Sequence, residues 1–398
     1  MATAAQCPID PNQDDRKTWQ LYEEGRIFKK NAEVVYEGTR VKDILRSPHL
    51  VQDGMDAAAA QRMKPEEVPL IFLDGKAHRD RRKHITSYFA PRYIKEHFEP
   101  LMRKTADTLI ADLERDKQLR IDEVSWQMAV TLVGDLIGVT RGKSRDDMKK
   151  TAKRIENCLY ATKMRMMTGW QLKLAKLRRA YDMMVFWRKD VLPTVKARRA
   201  APQDDVISTL VKENYSDTAI LADVMMLCGA GMQTTREFIS MAAWHMLEKP
   251  YLKEAFLTAD YDGKMGILEE ILRLDPIVST LYRRAPQDLN EKAKDEFAAG
   301  TRYGVSIRHA NHDPELVGPC PHAIDLTRKE KLGDQAPMMS FGNGMHRCPG
   351  SPLAFNETLF LMDRLLRVPG VKLASQPKMV WEPNVSTFEI TNVLVTCD

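Results

Sequence analysis

The sequence predicts a mostly α fold with small β pieces at both ends of the chain. Three observations predict it. Helical apolar periods dominate from about residue 80 to about residue 275. Strand-like runs are short and late, at 280–284, 302–308 and 385–396. No alternating strand–helix rhythm appears, which excludes a doubly wound sheet. The 398 residues amount to two or three average domains or one large core. No low-complexity linker and no internal repeat divides them.

The elements follow in order. Residues 1–20 read as an irregular N-terminal segment. Residues 33–45 read as a short strand, a turn at Gly38 and a helix. Asp122 to Val139 places Val124, Met128, Leu132 and Leu136 on one helix face. Residues 145–200 hold Lys/Arg-rich helices with many Met and aromatic side chains. Ser216-Asp217 suits the N-cap of a long helix carrying Ile220, Val224, Met225, Cys228 and Met232. An amphipathic helix is expected from Leu353 to Leu366, and a last strand around Thr387 to Val395.

Charge excludes some functions. Lys plus Arg is 60 and Asp plus Glu is 55, a net +5. The balance is mild and no dense basic run occurs, so nucleic acid is not an expected partner. No basic flank precedes an apolar run at the N-terminus, and no stretch reaches about 18 apolar residues, so neither a secretory signal nor a membrane anchor is expected. The six cysteines (Cys7, Cys158, Cys228, Cys320, Cys348, Cys397) are scattered without a C-x-x-C. No disulfide framework is expected, which suits a reducing cytoplasm and leaves at least one thiol free for chemistry.

The most informative segment is Phe341-Gly342-Asn-Gly-Met-His-Arg-Cys348-Pro-Gly350, between a loop and a helix. Two glycines in the turn allow φ > 0, so several backbone N–H groups can aim at one atom. Those donors, the start of the next helix and Arg347 would stabilise a thiolate at Cys348. A shielded thiolate suits an axial iron ligand. The plainer reading is a buried cysteine in a glycine turn. A zinc module on His346 and Cys348 would lack two further clustered ligands.

The spacing is more specific than the turn. F-x-x-G-x-H-x-C-x-G, matched at Phe341, Gly344, His346, Cys348 and Gly350, resembles the haem-binding loop of the cytochromes P450, the haem-thiolate monooxygenases. The resemblance implies that Cys348 ligates haem iron and that His346 meets a haem propionate. Phe341 and Gly342 would line the same cofactor. Glu270-Ile-Leu-Arg273 resembles the family's structural E-x-x-R pair, where i and i+3 share a helix face. His78 and Arg82 resemble the H-x-x-x-R that holds one propionate, and Arg283 resembles the arginine that holds the other. Asn311-His-Asp-Pro314 resembles the N-R-D-P stretch, with His312 in place of arginine.

These marks stand in the family's order over nearly the whole chain. The resemblance therefore implies one domain over 1–398, the cytochrome P450 fold, and haem b (iron protoporphyrin IX) as cofactor. Ala230-Gly-Met-Gln-Thr-Thr235 resembles the segment over the distal haem face. Glycine inside a helix costs about 1 kcal/mol against alanine, which close helix packing or an opened helix would each explain. Thr234 matches the threonine that hydrogen-bonds the oxygen being activated, and Ala230 matches a residue against the haem. Gln233 departs from the usual acid, and an amide cannot relay protons by gaining and losing one.

The resemblance implies a soluble bacterial-type oxidoreductase that uses dioxygen and two external electrons to hydroxylate or epoxidise a small, natural-product-like substrate. Gln233 motivates an alternative on the same haem, oxidative aryl or phenol cross-linking of a small peptide or aromatic natural product. A non-enzymatic haem sensor or gas carrier is a third reading, opposed by the Thr234 segment. No nucleotide-binding glycine motif occurs, so a separate ferredoxin and ferredoxin reductase are expected as donors. Candidate docking cations are Lys83, Arg347, Arg364 and Arg367. The protein is expected to act as a monomer. The substrate pocket is expected from 52–73, roughly 155–190, Leu227–Thr235, Ile277–Leu281 and near Phe388. Tyr160, Met164, Met166, Met167, Trp170, Met183, Met184 and Trp187 form an adaptable lid or simply core. Arg154, Lys163 and Arg165 could meet an acidic substrate.

Overall fold

The computed structural model describes residues 13–20, 32–54, 57–60, 62–159, 167–333, 338–382 and 387–398. Strand β1 (Glu33–Val35) leads into helix α1 (Gly38–Arg46). Gly38 opens that helix rather than forming the predicted turn. Its N–H donates to Asp313 Oδ2 at 2.8 Å, and a Cβ there would collide with Leu316. Strand β2 (Val51–Asp53), α2 (Gly75–Thr86), α3 (Glu99–Asp116) and β3 (Gln118–Arg120) follow. Helix α4 (Ile121–Ile137) fills the predicted span, with Asp122 and Glu123 in its first turn and Gly138 at φ 104° closing it. Then come α5 (Arg145–Leu159) and α6 (Gly169–Phe186).

The long helix is real but interrupted. Helix α7 (Asp217–Leu227) starts at Ser216, whose side chain accepts from Ala219 N–H at 3.2 Å, as the cap pattern predicts. A π-turn over Cys228–Gln233 joins it to α8 (Thr234–Glu248). Helix α9 (Tyr261–Leu274), strands β4 (Thr280–Arg284) and β5 (Arg302–Ser306), and helix α10 (Ser351–Leu366) complete the helical part. Strands β6 (Lys372–Leu373), β7 (Lys378–Glu382), β8 (Thr387–Thr391) and β9 (Leu394–Thr396) end the chain.

The strands lie in three small sheets ordered β1-β5-β4-β2, β3-β9-β6 and β7-β8. β1 runs parallel to β5, with Glu33 opposite Tyr303. The early and late β pieces are thus one sheet. The strand predicted over 385–396 breaks at Asn392, which takes φ 61°. β2, β3 and β6 escape a period-two search because two or three residues show no alternation.

The main core lies among α3, α4, α8 and α10, where Met102, Met128, Ile239 and Leu361 are fully buried. Ser125 and Ser240 hydroxyls, 3.2 Å apart, mark the contact of α4 with α8. A smaller core of Val41, Ile44 and Val305 sits between α1 and the four-stranded sheet. Among the described residues, no helix is long and apolar enough to cross a membrane. Cys158, Cys228, Cys348 and Cys397 are free. Cys320 departs from the expected reduced set, because it is disulfide-bonded. One bond is not a framework, but it removes cysteine usage as an argument for a reducing compartment.

Candidate functional site

The cysteine loop is built by its glycines. Gly342 and Gly344 take φ 70° and 68°. A Cβ on Gly344 would stand 2.6 Å from the Leu45 carbonyl oxygen, so α1 and the loop touch backbone to backbone. Cys348 N–H donates to the Phe341 carbonyl at 2.9 Å and closes the loop. The Phe341 ring packs on Phe355 of α10 at 5.3 Å. Burial raises the Cys348 thiol pKa. The N–H groups of Gly350 and Ser351 and the cations Arg82 and Arg347 pull it the other way. This is the donor set expected from the sequence, with Arg82 added from α2.

Beside the loop, α2 and β4 bring together a cluster of nitrogen donors. The His78 and His346 rings lie tilted against each other with centroids 4.1 Å apart. His346 Nε2 lies 3.0 Å from Asp74 Oδ1. Burial, then the neighbouring His346 and Arg82, push the His78 pKa down to about 4, so its ring is neutral at pH 7. Its Nδ1 is buried with no hydrogen-bond partner. Arg283 is buried too, donating to the Tyr282 carbonyl at 2.8 Å and to Gln52 Oε1, and burial lowers its pKa to about 10. Among the described residues no carboxylate pairs with Arg283. A buried guanidinium and an unpartnered imidazole nitrogen are costly unless something anionic meets them. A cofactor bearing two carboxylates fits that need. Arg82 differs from expectation, because its guanidinium donates to the Met345 and Arg347 carbonyls at 3.2 and 2.6 Å. Asp74 and Gln52 belong to this cluster, and no local motif marked them.

The loop is braced from behind. Arg273 Nε reaches Glu270 Oε1 at 2.7 Å, and both side chains are buried rather than forming an ordinary surface pair. Arg328 Nε joins the same Glu270 oxygen at 3.0 Å. Arg273 then donates to the Asn311 carbonyl at 3.0 Å, Asn311 Oδ1 accepts from Met339 N–H at 2.8 Å, and Asn311 Nδ2 donates to Ser340 Oγ at 2.8 Å. The chain of bonds ends one residue before Phe341. Arg328 was not legible in sequence, since it lies 58 residues from its partner. His312 stands buried with both ring nitrogens unpartnered, near Arg273 and Arg308.

Above this, the long helix opens. Thr234 Oγ1 donates to the Ala230 carbonyl at 2.6 Å inside the π-turn. Ala230 is exposed, while Cys228 and Met232 on either side are fully buried. Gln233 and Thr234 are half-exposed on the same stretch. An exposed alanine in mid-helix marks a space kept open in the core. The two glycines differ in purpose. A Cβ on Gly231 would stand 3.1 Å from Val133 of α4, so Gly231 permits close packing, whereas Gly229 has ordinary room beside Leu159. Two carboxyls missed in the sequence lie close by. Burial pushes Glu237 up to about 8 and Glu357 of α10 well above the usual carboxylate range, with Thr235 hydrogen bonding as the counter-influence on Glu357. Their only sequence signal is an acid at a core-facing helix position.

Other expectations need correction. Trp170 and Met184 are exposed on the outer face, while Met183 and Trp187 pack against the core. Arg154 is held by Asp190 at 2.5 Å and is not free for an acidic substrate. Tyr160, Lys163, Met164, Arg165 and Met166 lie outside the described residues. Three docking cations are engaged: Arg364 with Asp107 and Glu114, Arg367 with Asp363, and Lys83 with Asp80. Arg347 is exposed and makes no ion pair among the described residues.

The sequence matches the family model described as "Cytochrome P450" over residues 26–258 and 265–390. It is 25% identical over 347 residues to the steroid C26-monooxygenase of Mycobacterium tuberculosis (strain CDC 1551 / Oshkosh), covering 85% of this chain and 87% of that protein. It is 27% identical over 338 residues to the cytochrome P450 monooxygenase PikC of Streptomyces venezuelae, covering 79% and 72%. The fold matches the hydroxylase HmtN of himastatin biosynthesis with a TM-score of 0.74 at 21% identity, covering both chains in full.

Proposed function

The chain belongs to the cytochrome P450 family, and on that premise we propose that it hydroxylates or epoxidises a small natural product, using electrons from a separate ferredoxin and its reductase in the cytoplasm. It is an oxidoreductase of the P450 monooxygenase type, and haem b is its cofactor. A relative named as a steroid C26-monooxygenase supports a small organic substrate.

The observation that carries the site assignment is the placing of Cys348, aimed at by two backbone N–H groups, near the unpartnered ring nitrogen of His78 and the buried guanidinium of Arg283, which no described carboxylate pairs. Cys348 Sγ would hold the iron. Arg283, His78 and His346 would meet the propionates, while Arg82 fixes the loop by its carbonyls. Phe341, Gly342 and Ala230 would lie against the macrocycle. When bound, haem supplies the activation of dioxygen. The chain's own residues position and protonate. Thr234 offers its hydroxyl at the opened turn. Gln233 can order water there but cannot carry a proton across. Burial raises the Glu357 pKa well above the usual carboxylate range and that of Glu237 to about 8, which favours their protonated forms, so Glu357, hydrogen-bonded to Thr235, is a candidate proton source.

Gln233 also supports a second reading, oxidative aryl or phenol cross-linking, which makes a smaller demand on proton delivery. Product mass separates the two, since insertion adds one oxygen and coupling removes two hydrogens. The reduced carbon monoxide spectrum of the wild type and of Cys348→Ala tests the site. A thiolate-type band in the wild type, lost in the variant, is the expected result. An unaltered Soret band in Cys348→Ala overturns the assignment.

A further inference from the structure

The outer face of α6 carries an apolar seam that none of the described residues covers. Trp170, Leu174, Leu177, Tyr181 and Met184 are 72, 58, 70, 57 and 40% exposed. Their spacing is four, three, four, three, the repeat of a coiled-coil seam. At 100° per residue they fall within a stripe about 80° wide and about 21 Å long. The opposite face is anchored, with Asp182 and Phe186 buried. The seam is therefore not a core face turned the wrong way.

Charge decides what covers it. The helix has four cations, Lys173, Lys176, Arg178 and Arg179, and a single acid, Asp182. Asp182 is buried and already accepts from Arg178 at 3.0 Å. The positions flanking the seam are Gln171, Lys173, Arg178, Ala180 and Val185, with no acid among them. A second copy docked seam to seam would set cations against cations. A membrane-surface helix sets a solvated Lys/Arg-rich face opposite its apolar one, whereas here the opposite face is buried in the protein at Asp182 and Phe186. We propose that the outer face of α6 is a docking seam for an acidic amphipathic helix of a partner protein. The partner lays apolar residues between Trp170 and Met184 and sets carboxylates against Lys173 and against Arg178, whose Nε is held by Asp182 while its side chain stays 68% exposed. Leu159, at the end of the neighbouring α5, approaches Gly229 at the opened turn.

The test uses the haem-loaded protein and a labelled synthetic helix of three heptads, with Leu at the seam positions and Glu at the flanks. Fluorescence anisotropy is expected to show saturable binding that weakens with salt, while a Lys-flanked version of the helix does not bind. Leu177→Lys adds charge but removes the apolar centre, and at least a tenfold loss is expected. Lys173→Glu, a purely surface change, is expected to weaken the Glu helix and admit the Lys helix. An unchanged carbon monoxide spectrum shows that each variant is folded and separates this test from that of the catalytic site. Equal binding of both helices, or binding of neither, overturns the proposal. So does self-association in sedimentation that Leu177→Lys abolishes, or displacement of the Glu helix by phosphatidylcholine–phosphatidylglycerol vesicles.

Discussion

The guanidinium of Arg82 donates to the carbonyl of Arg347 at 2.6 Å, which ties α2 to the residue before Cys348. One side chain thereby fixes the loop and lowers the cost of a buried thiolate. Arg82→Ala is expected to raise the Cys348 pKa and to weaken haem retention about tenfold, the loss of one charge-assisted contact. Arg82→Lys keeps the charge but cannot bridge two carbonyls, so it should fall between. Alkylation of the Cys348 peptide in apoprotein against pH, read by mass spectrometry, gives the thiol shift directly. An unchanged profile in Arg82→Ala would separate the two residues.

Glu270 is held by both Arg273 and Arg328 in the interior. Removing one partner of a buried charge cluster costs about 3–5 kcal/mol. Glu270→Gln strands two cations and should be the most damaging change. Arg328→Met leaves the Glu270–Arg273 pair intact and should cost less. Thermal unfolding of the apoprotein measures both. Loss of under 1 kcal/mol in Glu270→Gln would make the cluster incidental to the loop.

Much of this site was legible because its chemistry is local. Two glycines, a cysteine and the helix after it sit within eleven residues, so spacing alone exposed the loop. His78 and Arg82 lie one helical turn apart and were found for the same reason. Arg328 and Glu357 were not, since each joins its partners only after the chain has folded. The helix break at Cys228–Gln233 could be suspected from Gly229 and Gly231, but which glycine makes room and which permits packing depends on Val133, a hundred residues away. The outward face of Trp170 was misread because periodicity gives a stripe without saying which side of the helix meets the core.

His78 makes the apoprotein sensitive to acid. Its folded pKa is about 4 against an ordinary 6.5. Between those values the unfolded chain binds the proton and the folded one does not. Stability is therefore full above pH 6.5 and falls as pH drops toward 4, by up to about 3 kcal/mol. An anionic group placed beside His78 would raise its pKa and flatten the slope. Relative to wild type, His78→Gln apoprotein should gain melting temperature as pH falls from 7 toward 4, because the variant lacks the titrating ring, and haem loading should shrink the wild-type slope. Parallel pH curves for the two proteins would remove His78 from this account.

Gln233 and Glu357 make opposite predictions about protons. Gln233→Glu restores a titratable group at the opened turn, so product formed per electron pair consumed should rise a few-fold if proton delivery limits turnover. Glu357→Gln keeps the shape of the side chain but cannot release a proton. It should lower that ratio and enlarge the solvent isotope effect, while the carbon monoxide spectrum stays unchanged. Burial favours the protonated form of Glu357, whereas an exposed glutamate would be ionised at neutral pH. In the double variant Gln233→Glu/Glu357→Gln, the restored acid should recover most of the coupling. If Glu357→Gln couples as well as wild type while Thr234→Ala does not, protons reach the turn by a path that avoids α10.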